Sequence, residues 1–230
     1  MAATSPTLID LSHPIEEGMT TYKGLPGPHI CDYWSREASA ANYDDGSSFQ
    51  IGRIEMVANT GTYLDTPFHR FESGDDLAAV GLERLAGLPG LVVRSEGPGI
   101  GLELFEGLDL AGRAVLVHTG WDRHWRTEAY QSGHPYLTEA AARMLVARGA
   151  ALVGIDSHNI DDTAVRARPV HTLLLGAGVL ICEHMTNLGA LPHEGFRFTA
   201  APPRIAGMGT FPVRAFAEIP GQSGIRPEAA

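Results

Sequence analysis

Short apolar runs bounded by glycine, proline and other turn formers recur along this chain, and most of them read as strands. The first is Leu8-Ile9-Asp10-Leu11, stopped by Pro14. Residues 49–58 form the next, with Gly52 as a bulge where the alternation slips. Leu91-Val92-Val93-Arg94, residues 113–118 and residues 151–156 follow, the middle one strongly apolar. Residues 179–183, 196–200 and 213–219 complete the set, with a turn over Gly207-Met208-Gly209-Thr210. Helical patterning is sparser. It predicts a short helix over 76–85 and a short helix or loop-rich piece over 102–110. A helix over 139–148 is N-capped by Thr138 and closed by Gly149 at C′. One or two helical turns over 171–175 end in Gly176-Ala177-Gly178. Residues 1–6 read as a loose tail. Residues 15–48 hold Gly24, Pro26, Gly27 and Pro28, which predicts a long, mostly irregular segment of the kind that is either functional or poorly ordered.

Helices set between strands, with no repeat, low-complexity tract or linker, predict a single α/β or α+β domain over residues 1–230 with a mixed sheet. A chain of 230 residues is long enough to bury a full core. Its 27 glycines and 15 prolines predict many turns without reaching the level of disorder. The formal net charge of −10 and the lack of any Lys/Arg cluster argue against nucleic acid and against an anionic membrane surface as partners. The longest apolar run, residues 172–182, is too short to span a bilayer, and residues 1–10 do not read as a signal peptide. Cys31 and Cys182 are far apart and form no Cys-x-x-Cys pair, so they read as unbonded thiols of a cytoplasmic protein.

The stretch Asn59-Thr60-Gly61-Thr62-Tyr63-Leu64-Asp65-Thr66-Pro67-Phe68-His69-Arg70 holds the first candidate chemistry. Pro67 stiffens it and pushes Thr66 toward extended geometry, which brings Asp65 and His69 close. Such a pair suits metal ligation or acid–base work, and equally a loop with a capping Asp and a surface His. His171 and Glu183 bracket a helical turn, a glycine turn and an apolar strand. A helix rises ~1.5 Å per residue and a strand ~3.3 Å, so both ends of this hairpin can finish on one edge. A carboxylate beside Ile181 and Cys182 then needs a partner such as a divalent cation, or points into water. Asp156-Ser157-His158-Asn159 ends a buried strand, where α/β sheets often carry sites and where turns are also capped. His118 ends another strand, and Trp121 or Trp125 could wall an apolar pocket or simply fill the core. His124, His134, His184 and His193 read as surface or structural.

Together these residues resemble the cyclase family that includes bacterial kynurenine formamidase, isatin hydrolase and related metal-dependent hydrolases. The family signature His-x-Gly-Thr-His-x-Asp-x-Pro-x-His stands here as Asn59-Thr60-Gly61-Thr62-Tyr63-Leu64-Asp65-Thr66-Pro67-Phe68-His69. The similarity continues in Asp10-Leu11-Ser12-His13-Pro14, Pro169-Val170-His171, the Glu183 strand with Thr186-Asn187-Leu188, and Pro212-Val213-Arg214-Ala215. The resemblance implies a swivelling β/β/α domain, a homodimer or homotetramer, and a metal site of Asp65, His171 and Glu183 with His69 as proton shuttle. Asn59 and Tyr63 depart from it, standing where kynurenine formamidase has two histidine ligands. One divalent ion, Zn²⁺ or Mn²⁺, is therefore expected rather than two. The reaction implied is hydrolysis of a small amide or lactone, with Asn59, Tyr63 and Trp121 toward the substrate. A lyase, dehydratase or cyclisation reaction using His69 as base, and a non-catalytic small-molecule binding protein, are the alternatives.

Overall fold

Four apolar runs with little alternation lie side by side as parallel strands: Leu88–Arg94, Ala114–His118, Leu152–Ile155 and Leu180–Glu183. They are apolar throughout because both faces of the sheet are covered. The computed structural model, which describes residues 5–221, extends this parallel centre with antiparallel strands on both sides. Glu194–Thr199, Phe216–Ile219 and Thr7–Asp10 continue it beyond Leu88–Arg94. Tyr63–Asp65 and Thr210–Pro212 continue it beyond Leu180–Glu183, giving nine strands in one mixed, curled sheet.

Strand alternation divides the apolar residues between two cores. Leu64, Val92, Leu116, Leu180 and Cys182 face the inside of the curl, where Phe196 and Phe198 close it. Val93, Val115, Val117, Val153, Ile155 and Ile181 face the helices Glu139–Ala147 and Pro169–Gly176. The first helix begins as its sequence predicts: the Thr138 hydroxyl accepts from the Ala141 N–H at 3.2 Å, and Gly149 follows its end at φ 73°. Cys31 and Cys182 are both free thiols. The loose tail expected over residues 1–6 lies outside the described residues for its first four positions.

Several expectations need correcting. Residues 76–85 hold only the short 3-10 turn Leu82–Arg84. The Asp76 carboxylate takes the N–H groups of Ala78, Ala79 and Gly207, which satisfies the backbone without a helix. Residues 102–110 follow the loop-rich alternative, with a single 3-10 turn, Leu102–Phe105. The segment 15–48 is less irregular than its turn formers suggest, since it contains the strand His29–Trp34 and the helix Arg36–Ala40. His29–Trp34 pairs with Ile51–Glu55 as a two-stranded ribbon outside the main sheet, and its bulge falls between Asp32 and Trp34, opposite Gly52. Thr210–Pro212 is an edge strand that starts on the last residue of the expected turn; an edge tolerates the missing N–H of Pro212. Tyr63–Asp65 is likewise a strand rather than a loop.

All four parallel strands end on one edge of the sheet. Glu183 lies there, and its antiparallel neighbour enters with Tyr63 directly opposite. Tyr63, Asp65, Ile181 and Glu183 therefore share the face covered by the helix that carries His171.

Candidate metal centre and its cavity

After Asp65, Thr66 stays extended (φ −107°, ψ 168°) and Pro67 opens the 3-10 turn Pro67–His69, so the chain reverses at once and His69 returns beside Asp65. The turn is braced from residues distant in sequence. Thr66 N–H donates to the Gly209 carbonyl at 2.7 Å, and the His69 backbone passes directly over Gly209. A Cβ at Gly209 would collide with that backbone, so only glycine allows the approach.

Thr210, the next residue, joins the two side chains. Its hydroxyl donates to Asp65 Oδ1 and lies 2.8 Å from His69 Nδ1. A threonine hydroxyl has one proton. With that proton on Asp65, His69 must donate its Nδ1–H to Thr210, which leaves Nε2 as the basic nitrogen. Asp65 is fully buried, and its Oδ2 has no hydrogen-bond partner among the described residues.

Opposite that oxygen stands His171. Its Nε2 is 3.7 Å from Asp65 Oδ2 and 3.7 Å from Glu183 Oε1. Its Nδ1 is 2.7 Å from Asp161 Oδ2, and Asp161 also takes the N–H groups of Val170 and His171 at 2.8 and 3.0 Å. One carboxylate thus caps the helix Pro169–Gly176 and orients its imidazole. Burial opposes a charge on Asp161, but these hydrogen bonds hold its carboxyl below the usual range. Burial likewise opposes a charge on His171, yet Glu183, Asp161 and Asp65 raise its pKa to about 10. The site therefore favours a cation.

Glu183 is fully buried, and burial pushes its carboxyl upward. Oε1 accepts from the Ile160 N–H at 2.6 Å, and Oε2 accepts from the Tyr63 hydroxyl at 2.6 Å and from Tyr22 at 3.3 Å. The two phenols are 2.7 Å apart. Burial, reinforced by Glu183, raises both pKa values well above the usual tyrosine value, so both stay protonated and donate rather than ligate. Tyr22 also lies 3.1 Å from His184 Nε2, whose Nδ1 is 2.9 Å from the Tyr130 hydroxyl.

A cavity of about 470 Å³ opens over these groups. Asn59, Tyr63, His69, His171 and Glu183 line it, and so do His158 and Asn159 from the polar cluster after Ile155. The structure thus brings together Asp65, His69, His171 and Glu183, and puts Asn59 and Tyr63 at the cavity wall. Trp121 does not line it: its indole N–H donates to the Tyr130 carbonyl at 3.2 Å, and its ring packs on His124. Asp156 is also structural, accepting from Thr119 and Gly120 N–H at 2.7 and 2.9 Å. Sequence reasoning missed Tyr22, Asp161 and Thr210. Asp161 follows the polar cluster by two residues, and Tyr22 and Thr210 carry no local signal.

The donor set fits a divalent cation. Oxygen of Asp65 and nitrogens of His69 and His171 lie within 4.8 Å of one another. Donors about 2.0–2.2 Å from one ion are themselves about 3.4 Å apart in a tetrahedral shell. The 3.7 Å separations around His171 Nε2 are close to that, and the unpartnered Asp65 oxygen is the acceptor an ion would satisfy. His69 Nδ1 is engaged by Thr210, while Glu183 Oε1 lies 3.7 Å from His171 Nε2.

Known proteins resemble this chain over most of its length. It is 28% identical over 209 residues to a kynurenine formamidase of Geobacillus thermodenitrificans, covering 90% of this chain and 95% of that protein. It is 26% identical over 211 residues to a kynurenine formamidase of Bacillus cereus, with the same coverage. A solved structure described as a potential metal-dependent hydrolase with cyclase activity superposes with a TM-score of 0.76 at 26% identity, over 95% of this chain and all of that one. An isatin hydrolase bound to thioisatinate shares the fold, with a TM-score of 0.78 at 20% identity over 94% of both chains. The family model described as "Putative cyclase" matches residues 9–162, and the chain belongs to that family.

Proposed function

We propose that the chain is an enzyme that hydrolyses a small amide, with the cavity over Asp65, His69, His171 and Glu183 as its active site. The observation that carries this reading is the pairing of an unpartnered, fully buried Asp65 oxygen with a histidine base whose tautomer is set by Thr210. The names of the relatives, kynurenine formamidase and metal-dependent hydrolase, support it.

Asp65, His171 and Glu183 would hold one divalent ion, Zn²⁺ or Mn²⁺; such an ion supplies Lewis acidity toward water and toward the amide carbonyl. His69 Nε2 takes a proton from the attacking water as the new C–O bond forms, and returns it to the leaving nitrogen as the C–N bond breaks. Thr210 holds His69 in the required tautomer, and Asp161 does the same for His171. The Tyr22 and Tyr63 rings restrict water and offer an apolar wall to the acyl or aryl part.

One ion per chain follows from Tyr63 and Asn59. The Tyr63 phenol stays protonated and is spent on Glu183, and Asn59 supplies only a neutral amide. Metal analysis after dialysis is expected to give one Zn²⁺ or Mn²⁺ per chain, with chelator abolishing hydrolysis. Asn59→His with Tyr63→His is expected to raise the count toward two. Two tightly held ions in the native protein would sink the single-ion reading, and full activity in chelator would sink the metal mechanism.

The assembly we favour is a homodimer or dimer of dimers. A two-stranded ribbon alone is marginal in water, and this one exposes Ile30, Tyr33, Trp34, Ile51 and Ile54, Tyr33 by 72%. Light scattering is expected to give at least twice the chain mass of 24.6 kDa, and Tyr33→Ser with Ile54→Ser to reduce it to one chain. A native monomer would rule the assembly out. No helix among the described residues is long and apolar enough to cross a membrane. Two free thiols suit the reducing cytoplasm, the compartment we favour.

A further inference from the structure

In a protein with a formal net charge of −10, the cavity over His69 and His171 is lined by three cations, Lys23, Arg70 and Arg168. None has a carboxylate within 4.0 Å among the described residues, although arginines elsewhere on the surface do. Two of the three are held in place by neutral groups. Arg168 Nη1 donates to the carbonyls of Asp162, Val165 and Ala167 at 3.1, 2.5 and 2.8 Å, which leaves its other N–H groups unspent. Arg70 Nε donates to Thr172 Oγ1 at 3.2 Å, and the same hydroxyl donates to the Arg168 carbonyl at 2.8 Å. Thr172 thus ties both arginines to the first turn of the helix that carries His171. These are not countercharges for the buried acids. The Glu183 carboxyl feels burial first, then His171, Asp65, Tyr63 and the Ile160 N–H, with no arginine among these influences.

Outside the metal centre, the lining offers no carboxylate to an ammonium group. Its one carboxylate is Glu183, which faces His171 at the metal centre. Oriented guanidiniums with free N–H forks, and no carboxylate beside them to pair an ammonium, are a receptor for a carboxylate. Tyr22, Tyr63 and Leu25 also line the cavity and suit a small apolar body.

We propose that the substrate is an anionic amide whose carboxylate, set on a small apolar or aryl body, is bound by Arg70 and Arg168, and that the site discriminates against substrates carrying an ammonium group. The proposal rests on the hydrolytic reading of the same cavity for the reaction, but not for the binding of the anion.

The test uses the full chain loaded with Zn²⁺ or Mn²⁺ and three formanilides: unsubstituted, with a 3-carboxylate, and with a 3-aminomethyl group. The carboxylate is expected to give kcat/KM about 10- to 100-fold above the neutral compound, the range for one or two charge-assisted hydrogen bonds. The aminomethyl compound is expected to be slowest. Arg70→Met is expected to cut the carboxylate-to-neutral ratio about tenfold through KM, and Arg70→Glu to invert the preference. A merely structural arginine would not invert it. Arg70 is exposed, so these variants carry the test even where Arg168→Met fails to fold. In parallel, equilibrium binding of benzoate and benzylammonium is measured without turnover. Benzoate binding that Arg70→Glu abolishes, with no hydrolysis of any formanilide, leaves the anion site standing and removes the hydrolytic reading. Hydrolysis of all three at equal kcat/KM overturns the anion proposal and leaves the hydrolase. Neither hydrolysis nor benzoate binding overturns both.

Discussion

Asp65→Asn is expected to lower kcat/KM by about 10³-fold or more and to remove the metal, the combined loss of a ligand and of the charge that fixes it. The two oxygens of this side chain have separate duties. Oδ1 receives the Thr210 proton, and Oδ2 faces His171 Nε2 at 3.7 Å with no other partner. Asparagine keeps the size but replaces one oxygen with an NH₂ and removes the negative charge. Whichever way the amide turns, either the Thr210 bond or the cation-facing oxygen is lost. A ligand bound only by the folded state stabilises it by about 2.7 kcal/mol at 100 times its Kd. The rise in Tm that Zn²⁺ or Mn²⁺ gives the native chain is therefore expected to vanish in the variant. Calorimetry with and without metal checks this, and a variant whose Tm still rises with metal would remove Asp65 from the ligand set.

His69→Ala is expected to lower kcat by about 10²- to 10⁴-fold with metal content unchanged, the range of a lost general base. The informative companion is Thr210→Val. Valine has nearly the shape of threonine but can neither donate to Asp65 nor accept from His69 Nδ1. The imidazole then loses the contact that sets its tautomer, and kcat is expected to fall about 10- to 100-fold, as for other orienting groups. Thr210→Ser keeps the hydroxyl and should restore most of the rate. Steady-state kinetics with metal analysis separates the outcomes. Loss of metal in His69→Ala would make His69 a ligand, and equal rates for the valine and serine variants would deny Thr210 its role.

Much of this molecule can be read from its chain. The four parallel strands are unbroken apolar runs, because strands buried on both faces have no polar side to alternate with. The helix Glu139–Ala147 is announced by Thr138 and Gly149. Asp65 and His69 are neighbours in sequence, and the hairpin from His171 to Glu183 returns to its starting edge. What could not be read are contacts that join separate parts of the chain. Thr210 meets Asp65 across 145 residues, and Tyr22 meets Glu183 across 161. Asp161 does its work through a helix start ten residues on. Trp121 follows a strand end that points toward the site edge, yet a local hydrogen bond to Tyr130 claims its indole. The ribbon strand Ile51–Glu55 is legible as a strand, but its pairing with His29–Trp34 outside the main sheet is not, because alternation does not name a partner.

The passage of His69 over Gly209 has a consequence for how this enzyme comes into being. The parallel centre of the sheet and both of its covering helices are complete by residue 183, and a nascent chain that has emerged only to residue 200 can already bury them. It lacks Gly209 and Thr210, so the turn at Pro67 has no brace and the imidazole has no defined tautomer. Closing a loop of about 145 residues costs chain entropy, and it comes after the local structure it completes. Biosynthesis therefore produces a folded scaffold before it produces a catalyst. In refolding, recovered activity reports the docking of Thr210–Pro212 rather than the collapse of the sheet.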